Sequence, residues 1–232
     1  HKMNAWRLNR FLLRNNVLLS SNTNIHSHVA YPAGYFAASL GRKHGSKTLV
    51  QHHGLDVCQF LTGRLAIGML KKWRNSYLKK RTTSVLQKMN YNIGVSQKVL
   101  DELQREINIP SEQKFVLYNG VDSEKFRLNS SISKTVGFTI GCVGNFWRIK
   151  DQISLLKSCL ILKEKGIDDL EIKFIGTGKM LASCKEFARN NKLNCEFKTE
   201  VDHAELNLFY NQLDLFVLPS YYEAFGCVYT ES

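Results

Sequence analysis

Proline is scarce in this sequence, with three in 232 residues, and that leaves no room for proline-rich linkers. No run approaches the roughly 20 apolar residues that a membrane-spanning helix needs. The amino-terminal stretch HKMNAWRLNRFLLRNN interrupts its apolar residues with arginines, unlike a signal peptide. The six cysteines (Cys58, Cys142, Cys159, Cys184, Cys195 and Cys227) form no C-x-x-C pair. They read as small core residues in a reducing compartment. Acids are nearly missing from the first hundred residues: Asp56 stands alone against 16 Lys/Arg, for a charge of +15. Residues 101–232 carry 16 Lys/Arg and 19 acids, or −3, which gives +12 for the chain. This asymmetry predicts two parts, the first suited to an anionic partner: nucleic acid, a membrane surface or a phosphorylated substrate.

What is present is apolar enough to fold. Hydrophobic residues make up 44% of the chain, sufficient for one large domain or two smaller ones. Short apolar runs alternate with longer amphipathic ones. Strands are predicted at 24–28, 47–51, 91–95, 114–118, 137–143, 170–176, 195–198 and 214–218. A helix is predicted over 150–166, with Ile153, Leu156, Cys159, Leu160 and Leu162 on its apolar side. Strands alternating with helices imply an α/β fold with mostly parallel sheets. RLNSSISKTV (127–136) is polar and aperiodic and reads as a linker, so the expected domains are 1–130 and 131–232.

The segment LDLFVLPSYYEAFGCVYTES (213–232) concentrates the chemistry. LFVL is a buried strand, and Pro219, lacking an N–H, ends its ladder. Gly226 sits where a helix should begin, at the carboxyl end of a strand, where doubly wound sheets bind ligands. Free N–H groups at a helix start suit a phosphate. Glu223 precedes the turn and Glu231 follows it, so carboxylates flank the place a diphosphate would occupy. Each could accept hydrogen bonds from vicinal hydroxyls of a ribose or a sugar. Two solvated glutamates near a helix start is the competing reading.

The pattern P-S-x-x-E-x-F-G with a second Glu resembles the E-x7-E motif of retaining GT-B-type glycosyltransferases of family four. Upstream, NIHSH, QHHGLD, GVSQKV, YNGVDSEKF, CVGNFWRIKD and FIGTGK resemble that family's segments in the expected order. The resemblance covers residues 24–232. It implies two Rossmann-like domains facing across a cleft, an amino-terminal acceptor-side domain and a nucleotide-sugar-binding one. It implies that Glu231 holds ribose hydroxyls, that Glu223 contacts the transferred sugar, and that the backbone of Phe225, Gly226 and Cys227 meets the sugar and diphosphate. Lys150 matches the family's diphosphate-binding cation. The family usually has Arg where Asn145 stands; Arg148 is the candidate replacement. Ala224 stands where Gly is common. The chain is expected to be an internal fragment of a longer transferase, both domains incomplete.

His26 and His28, and then His52 and His53, fall at successive strand ends. Metal ligation, hydrogen-bonded structural histidines and sugar positioning are all open readings. The resemblance implies the last for His53, which matches the histidine that faces the donor sugar. It implies no metal and no cofactor beyond the nucleoside diphosphate sugar. Residues 57–100 hold nine Lys/Arg and no acid. Residues 64–81 read as a core-packed helix with a solvated basic face, or as a helix docking on anionic lipid headgroups. No nucleic-acid motif accompanies the charge. The resulting expectation is transfer of a sugar to a hydroxyl of a glycan or lipid-linked acceptor, with retention of configuration. It would serve glycan, polysaccharide or glycolipid synthesis in the cytoplasm, with peripheral membrane contact. A nucleotide-sugar-binding module without turnover, and a GT-B-fold nucleotide-sugar isomerase, are the alternatives.

Overall fold

The computed structural model describes residues 2–54, 57, 69–132, 137–202 and 205–232, with the side chains of residues 2 and 69–75 left aside. Asp56, Cys58, residues 64–68 of the basic stretch and residues 133–136 of the expected linker lie outside the described residues. The chain divides into two units, His1–Asn119 and Gly120–Ser232. The division falls ahead of residue 130 because 126–129 are bound into the second unit. Arg127 N and Asn129 N donate to the side-chain oxygens of Asn207 and Asn211, at 3.0 and 2.7 Å. Phe126 packs on Tyr210.

The first unit opens with helix α1 (Lys2–Arg14), followed by β1 (Asn24–His28), α2 (Ala33–His44), β2 (Lys47–His52), α3 (Met69–Leu86), β3 (Tyr91–Gly94), α4 (Gln97–Glu106) and β4 (Lys114–Val116). All strands are parallel in the order β1-β2-β3-β4. Parallel neighbours require a crossover, and each is supplied by a helix. The buried strand residues Val50 and Ile93, with Val95 just past β3, match the buried Ala37 and Leu40 of α2 and Val99, Leu100 and Leu103 of α4. Ser96 caps α4 by accepting a hydrogen bond from Val99 N at 3.3 Å.

The second unit contains β5 (Phe138–Val143), α5 (Gln152–Glu164), β6 (Leu170–Ile175), α6 (Leu181–Asn190), β7 (Cys195–Lys198), α7 (Leu206–Asn211), β8 (Leu215–Phe216) and α8 (Cys227–Glu231). Its strands are also parallel, in the order β7-β6-β5-β8. The chain starts at β5, moves outward through β6 and β7, then returns to the other side of β5. The strand order therefore reverses between β5 and β8, and a crevice opens outside the carboxyl ends at such a reversal. Both units are thus Rossmann-like α/β layers.

Two expectations need correction. The buried stripe of α5 runs through Gln152, Leu155, Leu156 and Cys159, not through Ile153, Leu160 and Leu162, which are half-buried. The stripe packs on Ile172 and Phe174 of β6 and on α6, and a polar residue heads it for a reason given below. Cys142, Cys159 and Cys184 are core residues as expected, but Cys195 is half-buried and Cys227 exposed. The core of this unit is aromatic at its centre: Phe174 stacks on Phe197 at 4.9 Å with Phe146 against both.

Candidate functional site

Three loops leave the carboxyl ends of β5, β6 and β8, and backbone hydrogen bonds interlock them. Gly144 N donates to Ile175 O at 2.9 Å. Phe146 N donates to Thr177 O at 2.7 Å, and Met180 N returns a bond to Phe146 O at 2.9 Å. Tyr221 N donates to Ile149 O at 2.9 Å, which binds the β8 loop to the β5 loop. The glycines of FIGTGK make the approach feasible. At Gly178 (φ +148°) a Cβ would lie 2.5 Å from Phe146 O, closer than any side chain allows. The buried Gln152 amide donates from Nε2 to Gly144 O and Asn145 O, both at 3.2 Å. That is why a polar residue heads the apolar stripe of α5: it braces the first loop from beneath.

The charged groups converge on this braced surface. A short 3-10 turn, Arg148–Lys150, carries Lys150 inward, and its ammonium donates to Glu223 Oε1 at 2.5 Å. The two side chains are 26% and 23% exposed, so the pair is partly desolvated yet reachable. Asn145 and Arg148 are exposed on the same loop. The Tyr221 hydroxyl bonds to Asp151, whose carboxylate raises the phenol pKa. Gly226 takes a left-handed conformation (φ +79°) and begins α8, as the sequence predicts. A Cβ there would meet the Tyr229 ring at 2.9 Å and Glu223 Cβ at 3.8 Å, so the turn is folded tightly onto the glutamate. Phe225 is half-buried and Cys227 exposed beside it. Tyr229 Oη donates to Leu218 O at 2.7 Å, fixing the short helix over the end of β8.

Glu231 has a different partner. Tyr210 Oη donates to its Oε2 at 3.2 Å. Burial pushes the Tyr210 phenol pKa well up, and the Glu231 carboxylate adds to it. The phenol therefore stays a hydrogen-bond donor at neutral pH. Glu231 also lines a cavity of about 270 Å³ with Tyr210, Arg127 and Asn211. The structure thus brings Lys150, Glu223 and Gly226 together, and holds Glu231 by way of Tyr210. Gln152 and Tyr210 are the functional supports that sequence reasoning missed. Neither has a local motif; both are found only through partners distant in sequence.

His26, His28, His52 and His53 belong to the first unit. His52, the last residue of β2, is buried, with Nε2 at 3.3 Å from Asn92 Oδ1. His53 is exposed, and its Nε2 shares a 2.9 Å hydrogen bond with His28 Nδ1. His26, His28 and His53 stack in series, at centroid spacings of 4.8 and 5.1 Å. Burial lowers the His26 pKa, and the neighbouring His28 lowers it further, against a hydrogen bond to the Gln51 side chain that raises it. Among the described residues, no group of three or more His, Cys, Asp or Glu is placed to hold a metal. Nor is any helix among them long and apolar enough to cross a membrane.

Comparison with known proteins agrees with both halves of this picture. The family described as Glycosyltransferase Family 4 matches residues 3–125. The family described as Glycosyl transferases group 1 matches residues 122–232. EpsF of Bacillus subtilis (strain 168), named as a glycosyltransferase, is 28% identical over 134 residues, which is 54% of this chain and 35% of EpsF. Sucrose-phosphate synthase from Thermosynechococcus elongatus superposes with a TM-score of 0.72 at 19% identity, over 90% of this chain and 53% of the synthase. The pneumococcal O-GlcNAc transferase GtfA, solved with UDP and GlcNAc, gives a TM-score of 0.67 at 16% identity. That match covers 97% of this chain and 42% of GtfA. The chain therefore spans about half or less of these relatives.

Proposed function

The chain belongs to Glycosyltransferase Family 4, and from that premise we propose that the whole protein transfers a sugar from a nucleoside diphosphate sugar to an acceptor hydroxyl. The observation that carries the reading is the Lys150–Glu223 pair. It stands beside the Gly226 turn, where the strand order of the second unit reverses. A departing nucleoside diphosphate gains negative charge as the glycosidic bond breaks. A fixed cation beside it lowers the barrier most where water is partly excluded. An ammonium has three donors, so Lys150 can hold Glu223 and a phosphate oxygen together.

On this reading Glu223 accepts hydrogen bonds from hydroxyls of the transferred sugar, and Glu231, oriented by Tyr210, accepts those of the ribose. The backbone at Phe225–Cys227 lies against the diphosphate. Arg148 supplies the second positive charge that Asn145 does not. The transfer runs with retention of configuration, the leaving phosphate itself taking the acceptor proton. The acceptor is a glycan or lipid-linked sugar, and the reaction runs on the cytoplasmic side, at or near a membrane surface.

The test is a thermal-shift screen of the protein against uridine, guanosine and adenosine diphosphates and their sugars. A ligand that binds the native state alone raises its melting temperature. One base class should give the largest shift, and Lys150→Gln should reduce it. No shift with any of them sinks the reading. The anomeric configuration of the product, read by proton NMR coupling constants, decides retention separately.

A further inference from the structure

The first unit holds a cavity of about 550 Å³ that the proposed transfer does not use. It opens between α2 and the last turns of α3. Arg42, Arg81 and Lys88 line its walls together with the hydroxyls of Ser39 and Ser84. Buried Thr48 lies at its floor, and Asn90 lines it beside Thr48. Thr48 N and Oγ1 donate to Asn90 Oδ1 at 2.8 and 3.0 Å, and Asn90 N donates to Thr48 Oγ1 at 3.2 Å. A backbone N–H can only donate, so the Asn90 oxygen is committed and its Nδ2 remains as a further donor.

The charge around this cavity is one-sided. Among the described residues, no carboxylate lines it and none pairs with Arg42, Arg81 or Lys88. The dipole of α2 accounts for a cation in its last turn, where Arg42 sits. It does not account for Arg81, because the last turn of α3 holds no basic residue. Arg81 is also oriented: its Nε donates to Tyr77 Oη at 3.1 Å, and its guanidinium lies 5.3 Å from the Tyr77 ring centroid. Three like charges around a concave wall repel one another and focus an attractive potential for anions.

The position separates this cavity from the histidine end of the sheet. Thr48 is the second residue of β2 and Asn90 directly precedes β3, so the floor lies at the amino ends of the strands. His53 follows the other end of β2, about 16 Å away at the rise of an extended strand. A ligand in the cavity cannot touch His53.

We infer that this cavity is a second, phosphate-binding site, which takes the phosphate or diphosphate group of a small metabolite or of a lipid headgroup. The size suits a phosphorylated sugar. The donors (three cations, two hydroxyls and an amide) suit a polyanion and give no acceptor-rich wall for a cation.

The experiment titrates inorganic pyrophosphate into the protein by calorimetry, in a Lys150→Gln background that removes the cation proposed for the donor diphosphate. Binding should persist there, and should weaken about tenfold or more when Arg42, Arg81 and Lys88 are all changed to Gln, since each charged hydrogen bond contributes a substantial share. Lys88→Gln alone, at an exposed position, should weaken it partially and covers the case in which the triple variant fails to fold. A second arm floats the protein with phosphatidylcholine vesicles with and without phosphatidic acid. Pyrophosphate binding without flotation identifies a soluble ligand. Flotation that needs phosphatidic acid and is lost in the triple variant identifies a headgroup. If neither arm shows binding, or if both are unchanged by the three substitutions, the inference is overturned. A failed donor screen would leave this result untouched, because the site lies in the other unit.

Discussion

Replacing Lys150 by Gln separates the two jobs assigned to it. Its ammonium rests on Glu223 at 2.5 Å, both side chains about a quarter exposed. At that exposure an ion pair contributes about 0.2–1 kcal/mol to stability, because water and salt screen it. Urea denaturation should therefore show a loss under about 1 kcal/mol, with the slope unchanged. Binding of a nucleoside diphosphate should suffer more. A hydrogen bond from a charged donor is worth about 1.5–3 kcal/mol when solvent is largely displaced, which corresponds to about a 10- to 150-fold rise in Kd. Glu223→Gln is the counterpart. It frees Lys150 from its internal partner, so the bare nucleoside diphosphate should bind equally well or tighter, while the nucleotide sugar loses its hydroxyl contacts and binds more weakly. Calorimetry on the two ligands with the two variants gives four numbers. If Lys150→Gln leaves both affinities at the wild-type value, Lys150 is not the diphosphate cation. If Glu223→Gln weakens bare diphosphate and nucleotide sugar equally, Glu223 does not read the sugar.

Gly226→Ala should destabilise the second unit by about 1–2 kcal/mol, the cost of a left-handed residue with a side chain, and more if Tyr229 must give way at 2.9 Å. Unchanged urea unfolding would show the turn to be plastic. His53→Ala in the full enzyme should lower turnover strongly with the melting temperature little changed, because the ring is exposed; wild-type turnover would remove its assigned role. The His26 pKa is depressed below 6.5 in the folded state, so the unfolded chain binds the extra proton first as pH falls. The first unit should accordingly lose stability as pH drops through about 6.5 and below. His26→Gln should flatten that slope, and a melting temperature independent of pH from 7.5 to 5.5 would contradict the burial argument.

The sequence announces strands better than supports. NIHSH and CEFK form strands over the residues predicted, because turn residues bound each apolar run sharply. The glutamates, the glycine turn and Lys150 were legible because they fall in one short segment or at a fixed place after a strand. Tyr210 and Gln152 were not. Tyr210 reaches Glu231 from 21 positions away, and Gln152 reads as the polar side of a helix until its amide is seen under Gly144 and Asn145. The division between Asn119 and Gly120 lies ahead of the linker read near residue 130. The bonds that bind residues 127 and 129 into the second unit come from asparagines some 80 positions downstream, and composition cannot register them.

Phe146 is clasped by the β6 loop through both its N–H and its carbonyl, and this fixes how the surface above it can change. The β5 and β6 loops are locked in length: a residue inserted in one would break the register with the other. The β8 loop, attached through Tyr221, inherits the same restriction. Variation in what this surface recognises is therefore confined to side chains that the clasp leaves outward, at 145, 147 and 148. A search for altered specificity should be made by substitution at those three positions, not by exchanging loops.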